Sequence, residues 1–301
     1  MKSNKSNLKW LLLVALALIW GSSFILMKQG LKVFRPDQLA AIRISIACLA
    51  SFPLIAGRIK TVPKVSLKYL AVVGFLGSGI PAFLFATAQT RINSSLAGML
   101  NALTPMFTML VGGFFFHSKF SSRQMLGVGV GFLGAAGLIL VRADGGISSD
   151  AGYAALIVIA CLFYGLSVNT IKTYLGGIDS ILISGISLLF VGIPYSIFLL
   201  SSDFTYKLQH QPGAWTAFGF LCLLGLMGTA LSNVLYFQMV KISSPLFASA
   251  VTYLIPIVAL FWGIIDGEAL NPLHLFAMLA ILGGVFLISK QKVKSAVELK
   301  E

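Results

Sequence analysis

An all-α integral membrane protein, with ten transmembrane helices in two inverted five-helix repeats, is the fold class this sequence predicts. Three observations predict it. The chain holds too little charge for a water-facing surface, it contains ten apolar runs of about bilayer length, and a set of short motifs recurs once in the same order.

Soluble proteins carry about 25% charged residues. This chain of 301 residues carries 10%, against 57% hydrophobic residues, and its mean hydropathy is +0.93. So little charge leaves most of the surface to lipid. The net charge of +13 does not indicate nucleic acid, because the basic residues sit between apolar runs and at the termini, with no aromatic-interleaved basic patch. Cys48, Cys161 and Cys222 all lie inside apolar runs, without pairing or metal-ligand spacing.

The runs, in order, are Trp10–Met27, Gln38–Ala56, Tyr69–Ala88, Leu96–Phe116, Met125–Val141, Tyr153–Ile171, Ile181–Leu200, Trp215–Met239, Leu246–Ile265 and Leu273–Ser289. Most approach the roughly 20 residues a helix needs to cross hydrocarbon; the fifth and tenth are shortest. None alternates as a barrel strand does. Run 1 imitates a secretory signal, with Lys2, Lys5 and Lys9 before it. Its small-residue triplet Ala15-Leu16-Ala17 falls mid-run with no polar region after it, so a retained helix is expected. Of the 22 Lys and Arg, 15 fall on the side of the N-terminus, six on the other, and Arg43 within run 2. Positive charge marks the cytoplasmic side. A multi-pass protein of the cytoplasmic (inner) membrane with both termini cytoplasmic is therefore expected.

The repeat emerges when the halves are aligned. Trp20-Gly-Ser-Ser…Lys28 resembles Tyr164-Gly-Leu-Ser…Lys172, and Gly74-Phe-Leu-Gly77 resembles Gly225-Leu-Met-Gly228. Arg91-Ile92 parallels Lys241-Ile242, Pro105 parallels Pro256, and Gly134 parallels Gly284. The offsets are 144, 151, 150, 151 and 150. The predicted units are residues 1–145 and 146–301, the second with a short basic tail. Five spans is an odd number, so the second unit must cross the membrane upside down. Inverted repeats around a midplane site are a transporter architecture.

Pro105 and Pro256 free the carbonyls of Asn101 and Thr252, which in lipid need another partner. Ser94, Ala97, Gly98, Asn101, Pro105 and Thr108 share one face of run 4. Pro245, Ala248, Ser249, Thr252, Pro256 and Ala259 share one face of run 9. Such faces line cavities or pack helices tightly. Trp20, Ser23, Tyr164, Asn169, Asn233, Tyr236 and Tyr253 complete the candidate substrate-binding set, each also readable as a packing residue. Arg43 either snorkels to the interface or serves a substrate or another helix. No carboxylate lies mid-run. Glu268 and its repeat equivalent His117 are the titratable candidates for a charge or coupling role.

Gly129-Val-Gly131-Phe-Leu-Gly134 fits the dinucleotide-binding pattern, but no strand precedes it, and it reads as a packing face. His117, His210 and His274 show no metal spacing, and no nucleotide-binding Gly-x-x-x-x-Gly-Lys motif exists. No cofactor and no metal are expected.

The chain resembles the EamA-type transporters of the drug/metabolite transporter superfamily over nearly its whole length. The resemblance rests on Trp20-Gly21-Ser22-Ser23-Phe24, Arg43, Thr104-Pro105, Ile255-Pro256, Gly267-Glu268, Gly134 and Gly283-Gly284. It implies a central cavity lined by helices 1, 3, 4, 6, 8 and 9, and export or exchange of metabolites such as amino acids or nucleosides. His117 departs from the acidic residue that usually ends span 4. The expected function is a secondary transporter, not an enzyme. Its partners are a small-molecule substrate and the bilayer, with proton or solute counter-flux and a monomer or homodimer left open. A structural or regulatory membrane subunit is the alternative. A lipid-modifying enzyme is the weaker one, for want of a His, Asp and Glu cluster.

Overall fold

The computed structural model describes residues 2–117, 121–140, 150–242, 251–268 and 271–289, with side chains described outside 2–7, 240–242 and 289. Every regular element among them is helical. In hydrocarbon no water pairs the backbone, and a helix satisfies its own. Eight helices are long and apolar enough to cross a bilayer. They are α1 (Lys2–Leu31), α2 (Pro36–Ile55), α3 (Lys64–Ala88), α4 (Ser94–Phe116), α5 (Ser122–Leu140), α6 (Ala151–Tyr174), α7 (Ser180–Ser201) and α8 (Ala214–Met239). Two shorter apolar helices follow, α9 (Val251–Ile265) and α10 (Pro272–Ser289). The expected start of run 9 at Leu246, with Pro245, Ala248 and Ser249 of its face, lies outside the described residues, as do Lys119, Arg142 and the basic tail.

Helix starts follow local chemistry. The Asn93 side chain accepts from Leu96 N at 2.8 Å ahead of α4, and that of Asp179 from Ile181 N at 2.9 Å ahead of α7. Pro36 opens α2, where its missing N–H costs nothing. Large apolar side chains face outward from the bundle: Phe114 and Leu200 are each 77% exposed and Leu133 76%. Such a surface suits lipid rather than water.

Contacts sort the loops into two ends. At one, which we call the Lys28 end, Lys28 meets Asp266 and Glu268, Arg35 meets Asp203 at 3.3 Å, and Arg91 lies 5.9 Å from the Tyr153 ring. At the other, the Arg58 end, Arg58 meets Asp179 at 3.8 Å, and Tyr69 stacks on Tyr174 with ring centroids 4.1 Å apart. Helix α1 runs toward the Lys28 end, and α6 runs away from it. The main pairings are α1 with α9, α4 with α6, α2 with α7, and α5 with α10.

Three helices depart from regular winding. Helix α4 breaks at Ala102–Leu103, between segments Ser94–Asn101 and Thr104–Phe116. Pro105 then sits in a first turn, where it is tolerated. The Asn101 carbonyl finds its partner in the Thr104 hydroxyl, at 2.8 Å. Helices α3 and α8 each hold a π-helical segment, Phe75–Gly79 and Leu226–Leu231. Each begins one residue after the first glycine of the repeated Gly-x-x-Gly motif. π-segments of this kind are frequent at functional sites.

Several close helix approaches also come in pairs at the sequence offsets. A Cβ on Gly74 would collide with the Ser187 carbonyl, and one on Gly225 would sit 2.8 Å from that of Arg43. Gly77 makes room for the Ser167 hydroxyl as Gly228 does for that of Ser23. Gly21 admits Val258, and Gly165 admits the Phe107–Thr108 backbone. Gly134 abuts the Ala277 carbonyl, as Gly284 abuts that of Gly127. The glycines of α5 thus form a packing face against α10. Gly129, with nothing within 4 Å, points away from it.

Candidate functional site

A cavity of about 160 Å³ lies within the bundle, bounded by α1 to α4 and α6 to α9. At roughly 10–15 Å³ per water-sized position, that is room for a solute of about ten to sixteen heavy atoms. Two helices beyond the expected six contribute: α2 through Arg43, and α7 through Ser184 and Ser187.

The lining is paired. Trp20 and Tyr164 both line it, as do Ser23 and Ser167, Arg43 and Ser187, Ser78 and Thr229, Phe85 and Tyr236, and Asn101 and Thr252. Each pair is separated by 144 residues (α1 and α2) or 151 (α3 and α4). The aromatic walls repeat as well. Trp20 meets Tyr236 with ring centroids 5.2 Å apart, and Tyr164 meets Phe85 at 6.1 Å. The lining residues without such a counterpart are Val73, Ser184, Asn233, Phe237 and Val251, and each lies in the half of its helix nearer the Arg58 end. The cavity is therefore displaced toward that end.

Polar groups on the wall are held from behind. Trp20 Nε1 donates to Ser232 Oγ at 2.9 Å, and Trp262 Nε1 donates to Ser22 Oγ at 2.8 Å, tying α8 and α9 to α1. The Arg43 Nε donates to Thr229 Oγ1 at 2.7 Å and Nη2 to the Gly228 carbonyl at 3.4 Å. Arg43 thus turns into the bundle rather than toward the interface. The Ser184 and Ser187 hydroxyls are buried and have no hydrogen-bond partner among the described residues. Buried hydroxyls in that state are completed by water or a ligand.

Of the residues singled out from sequence, Trp20, Ser23, Arg43, Asn101, Tyr164, Asn233, Tyr236 and Thr252 line the cavity. Asn169 and Tyr253 do not. Asn169 Nδ2 donates to the Thr108 carbonyl at 2.9 Å and that of Gly165 at 2.8 Å, clamping α6 to α4. Tyr253 packs against the main apolar core. His117 is exposed at the end of α4 in the left-handed conformation, φ 55°, where it terminates the helix. Sequence reasoning passed over Thr104, Ser184, Ser187 and Thr229. The last three stand at motif-free positions, and only the rotation of α7 and α8 reveals them.

Glu268 lies beyond the cavity, at the Lys28 end. Its carboxylate accepts from Ser94 N and Oγ at 2.9 and 2.7 Å, and from Ser95 N and Oγ at 3.0 and 2.7 Å. Lys28 Nζ bonds it at 2.8 Å and also meets Asp266 at 2.6 Å. The cluster joins α1, α4 and α9, and the Glu268 side chain is 2% exposed. A carboxylate facing the N-terminus of the first α4 segment is favoured by its free N–H groups. Burial alone would raise the Glu268 pKa, but the hydrogen bonds from Lys28, Ser94 and Ser95 outweigh it. They carry the group from 4.5 down to about 2. A depressed carboxylate contributes stability in full above its unfolded pKa and loses it as pH falls through the folded one. The contribution of Glu268 to the thermal stability of the purified protein is expected to be constant between pH 8 and 5. The wild-type advantage over Glu268→Gln should shrink only between about pH 4.5 and 2. A loss of that advantage near neutrality would contradict the assignment.

Comparison with known proteins gives a consistent result. The model of the EamA-like transporter family matches twice, over residues 8–140 and 152–290. The "Uncharacterized inner membrane transporter YedA" of Escherichia coli (strain K12) is 26% identical over 292 residues, covering 93% of this chain and 90% of the relative. The "Probable terminal-alkyne amino-acid exporter" of Streptantibioticus cattleyicolor is 25% identical, covering 93% and 92%. The "Probable amino-acid metabolite efflux pump" of Salmonella typhimurium is 30% identical over 134 residues, 44% of this chain and 42% of that one. A solved crystal structure, whose description names no function, shares the fold with a TM-score of 0.61 at 15% identity, covering 94% of this chain and 96% of the other.

Proposed function

The chain belongs to the EamA-like transporter family, and from that premise we propose that it is a secondary transporter exporting a small organic metabolite across the cytoplasmic membrane by alternating access. The observation that carries this reading is the paired cavity lining, in which most wall residues recur across the two halves. The double match of the family model, with its break between residues 140 and 152, supports units near 1–145 and 146–301. The opposite directions of α1 and α6, and the paired glycine contacts, support an inverted relation between those units. Ten crossings follow if α9 and α10 span with the other eight.

A cavity shared by two inverted halves supplies two equivalent openings, only one of which is open at a time. In this structure the Lys28 end is held by the Glu268 cluster across three helices. The equivalent positions at the Arg58 end, Lys172 and His117, form no corresponding ion pair among the described residues. By the excess of positive charge, the Arg58 end is cytoplasmic. The conformation is then closed outward, with its cavity extended toward the cytoplasm. The relatives whose names are "Probable amino-acid metabolite efflux pump" and "Probable terminal-alkyne amino-acid exporter" favour the outward direction of net flux.

The test is flux into proteoliposomes across a panel of amino acids, nucleosides and sugars. Saturable uptake of at least one class is expected. It should fall at least about tenfold in Trp20→Ala, which removes an aromatic wall and the bond to Ser232. Asn101→Ala and Thr252→Ala should weaken it less. Flux no greater than in empty liposomes for the whole panel would favour the regulatory-subunit reading.

A further inference from the structure

We infer that the transported solute carries a single carboxylate, that Arg43 is its anchor, and that the site makes no charge contact with an amino group. The inference rests on the transport reading and deepens it.

Among the described residues, Arg43 is the only Lys, Arg or His in the cavity wall, and none there is Asp or Glu. A guanidinium has five N–H donors. Here three contacts engage it: Thr229 Oγ1 at 2.7 Å, the Gly228 carbonyl at 3.4 Å, and the weak Met27 sulfur at 3.9 Å. None is anionic, and two N–H groups have no partner among the described residues. All nine acidic residues of the chain fall outside the apolar runs, so no helix brings a counter-charge to Arg43's depth. Removing a cation from water without a partner is costly, and the cost falls when an anion enters. A planar carboxylate is the group a guanidinium fork pairs with in two parallel bonds. A phosphate, with close to two charges, would leave one uncompensated against a lone cation. A cationic solute would meet Arg43 with no acid to offset it.

Beyond Arg43 the wall is aromatic, with Trp20 against Tyr236 and Phe85 against Tyr164. Toward the Arg58 end lie the Ser184 and Ser187 hydroxyls, which have no hydrogen-bond partner among the described residues. The solute is therefore an apolar or aromatic acid. An α-amino group on it meets only neutral atoms and loses its hydration there, so the deaminated acid binds at least as tightly as the amino acid.

The experiment measures binding to the full-length protein in nanodiscs, by calorimetry, with phenylpyruvate, phenylalanine, phenylalaninamide and adenosine as probes. Wild type is expected to bind phenylpyruvate at least as tightly as phenylalanine, and phenylalaninamide at least about tenfold more weakly than either. Arg43→Gln should weaken both acids by about 10- to 100-fold without weakening the amide, while Arg43→Lys retains the preference for acids at reduced affinity. The wild-type series needs no variant to fold. Binding of phenylalaninamide or adenosine as tight as that of the acids would overturn the inference and leave the transport reading standing. Binding of phenylalanine but not phenylpyruvate would overturn the claim about the amino group. No binding of any probe, with no flux of any solute in the proteoliposome panel, would sink both.

Discussion

Glu268→Ala is expected to destabilise the Lys28 end by about 3 kcal/mol, because each buried donor left without its acceptor costs about 1–3 kcal/mol. The variant deprives five donors of their acceptor at once: Lys28 Nζ, and the backbone N–H and hydroxyl of both Ser94 and Ser95. Lys28 retains Asp266 at 2.6 Å, so the loss falls chiefly on the buried N-terminus of α4. A shift of that size moves a two-state balance by about 100-fold. The expected result is a protein that folds but opens at the Lys28 end far more often. A cysteine placed at Ser23 should then react faster with an impermeant thiol reagent applied from that side. Glu268→Gln, which keeps one acceptor oxygen, should show a smaller change in the same direction. An unchanged labelling rate would mean that the cluster caps a helix without gating the cavity.

The other large effect concerns helix approach. Gly74→Leu is expected to abolish recovery of folded protein, because the new Cβ meets the Ser187 carbonyl, a backbone atom that cannot rotate away. Overpacking in a fixed interior costs about 1–3 kcal/mol and more when backbone must move. Gly225→Leu, its counterpart, should fail in the same way against the Arg43 carbonyl at 2.8 Å and Ile46 Cβ at 2.9 Å. Gly129→Leu and Gly219→Leu are the controls: both glycines lie in helices with nothing within 4 Å of a built Cβ. They should give wild-type yield and a monodisperse elution profile. Equal recovery of all four variants would contradict the close α3–α7 and α2–α8 packing.

Much of this was legible in the sequence for a plain reason. Hydrocarbon demands long apolar runs and internally bonded backbone, so the helices appear as uninterrupted hydrophobicity. The matched pairs Trp20 and Tyr164, and Gly74 and Gly225, pointed to a repeat because they sit where helices cross or face the cavity, positions at which few side chains fit. What stayed hidden depends on helix rotation. Ser184 and Ser187 face the cavity from α7, and nothing in an all-round apolar run says which face turns inward. The same ambiguity left Arg43 open between snorkelling and an inward role, until Thr229 and Gly228 fixed its direction. Asn169 looked like a ligand group, but its amide is consumed by two backbone carbonyls. His117 shares Glu268's repeat position without sharing its chemistry, because the left-handed turn that ends α4 exposes it. The break at Ala102–Leu103 was half visible: Pro105 signalled irregular winding, and Thr104's hydroxyl, which satisfies the Asn101 carbonyl, went unread.

The most direct measurement uses Asn101→Cys and Thr252→Cys, made separately in a protein whose Cys48, Cys161 and Cys222 are replaced by serine. Each is labelled with a membrane-impermeant thiol reagent in right-side-out and in inside-out vesicles. A single pocket shared by two oppositely inserted halves predicts that both cysteines react from both sides, faster from the Arg58 side, and that a bound solute protects them together. Labelling of one cysteine solely from one side and of the other solely from the opposite side, or of neither, would contradict it.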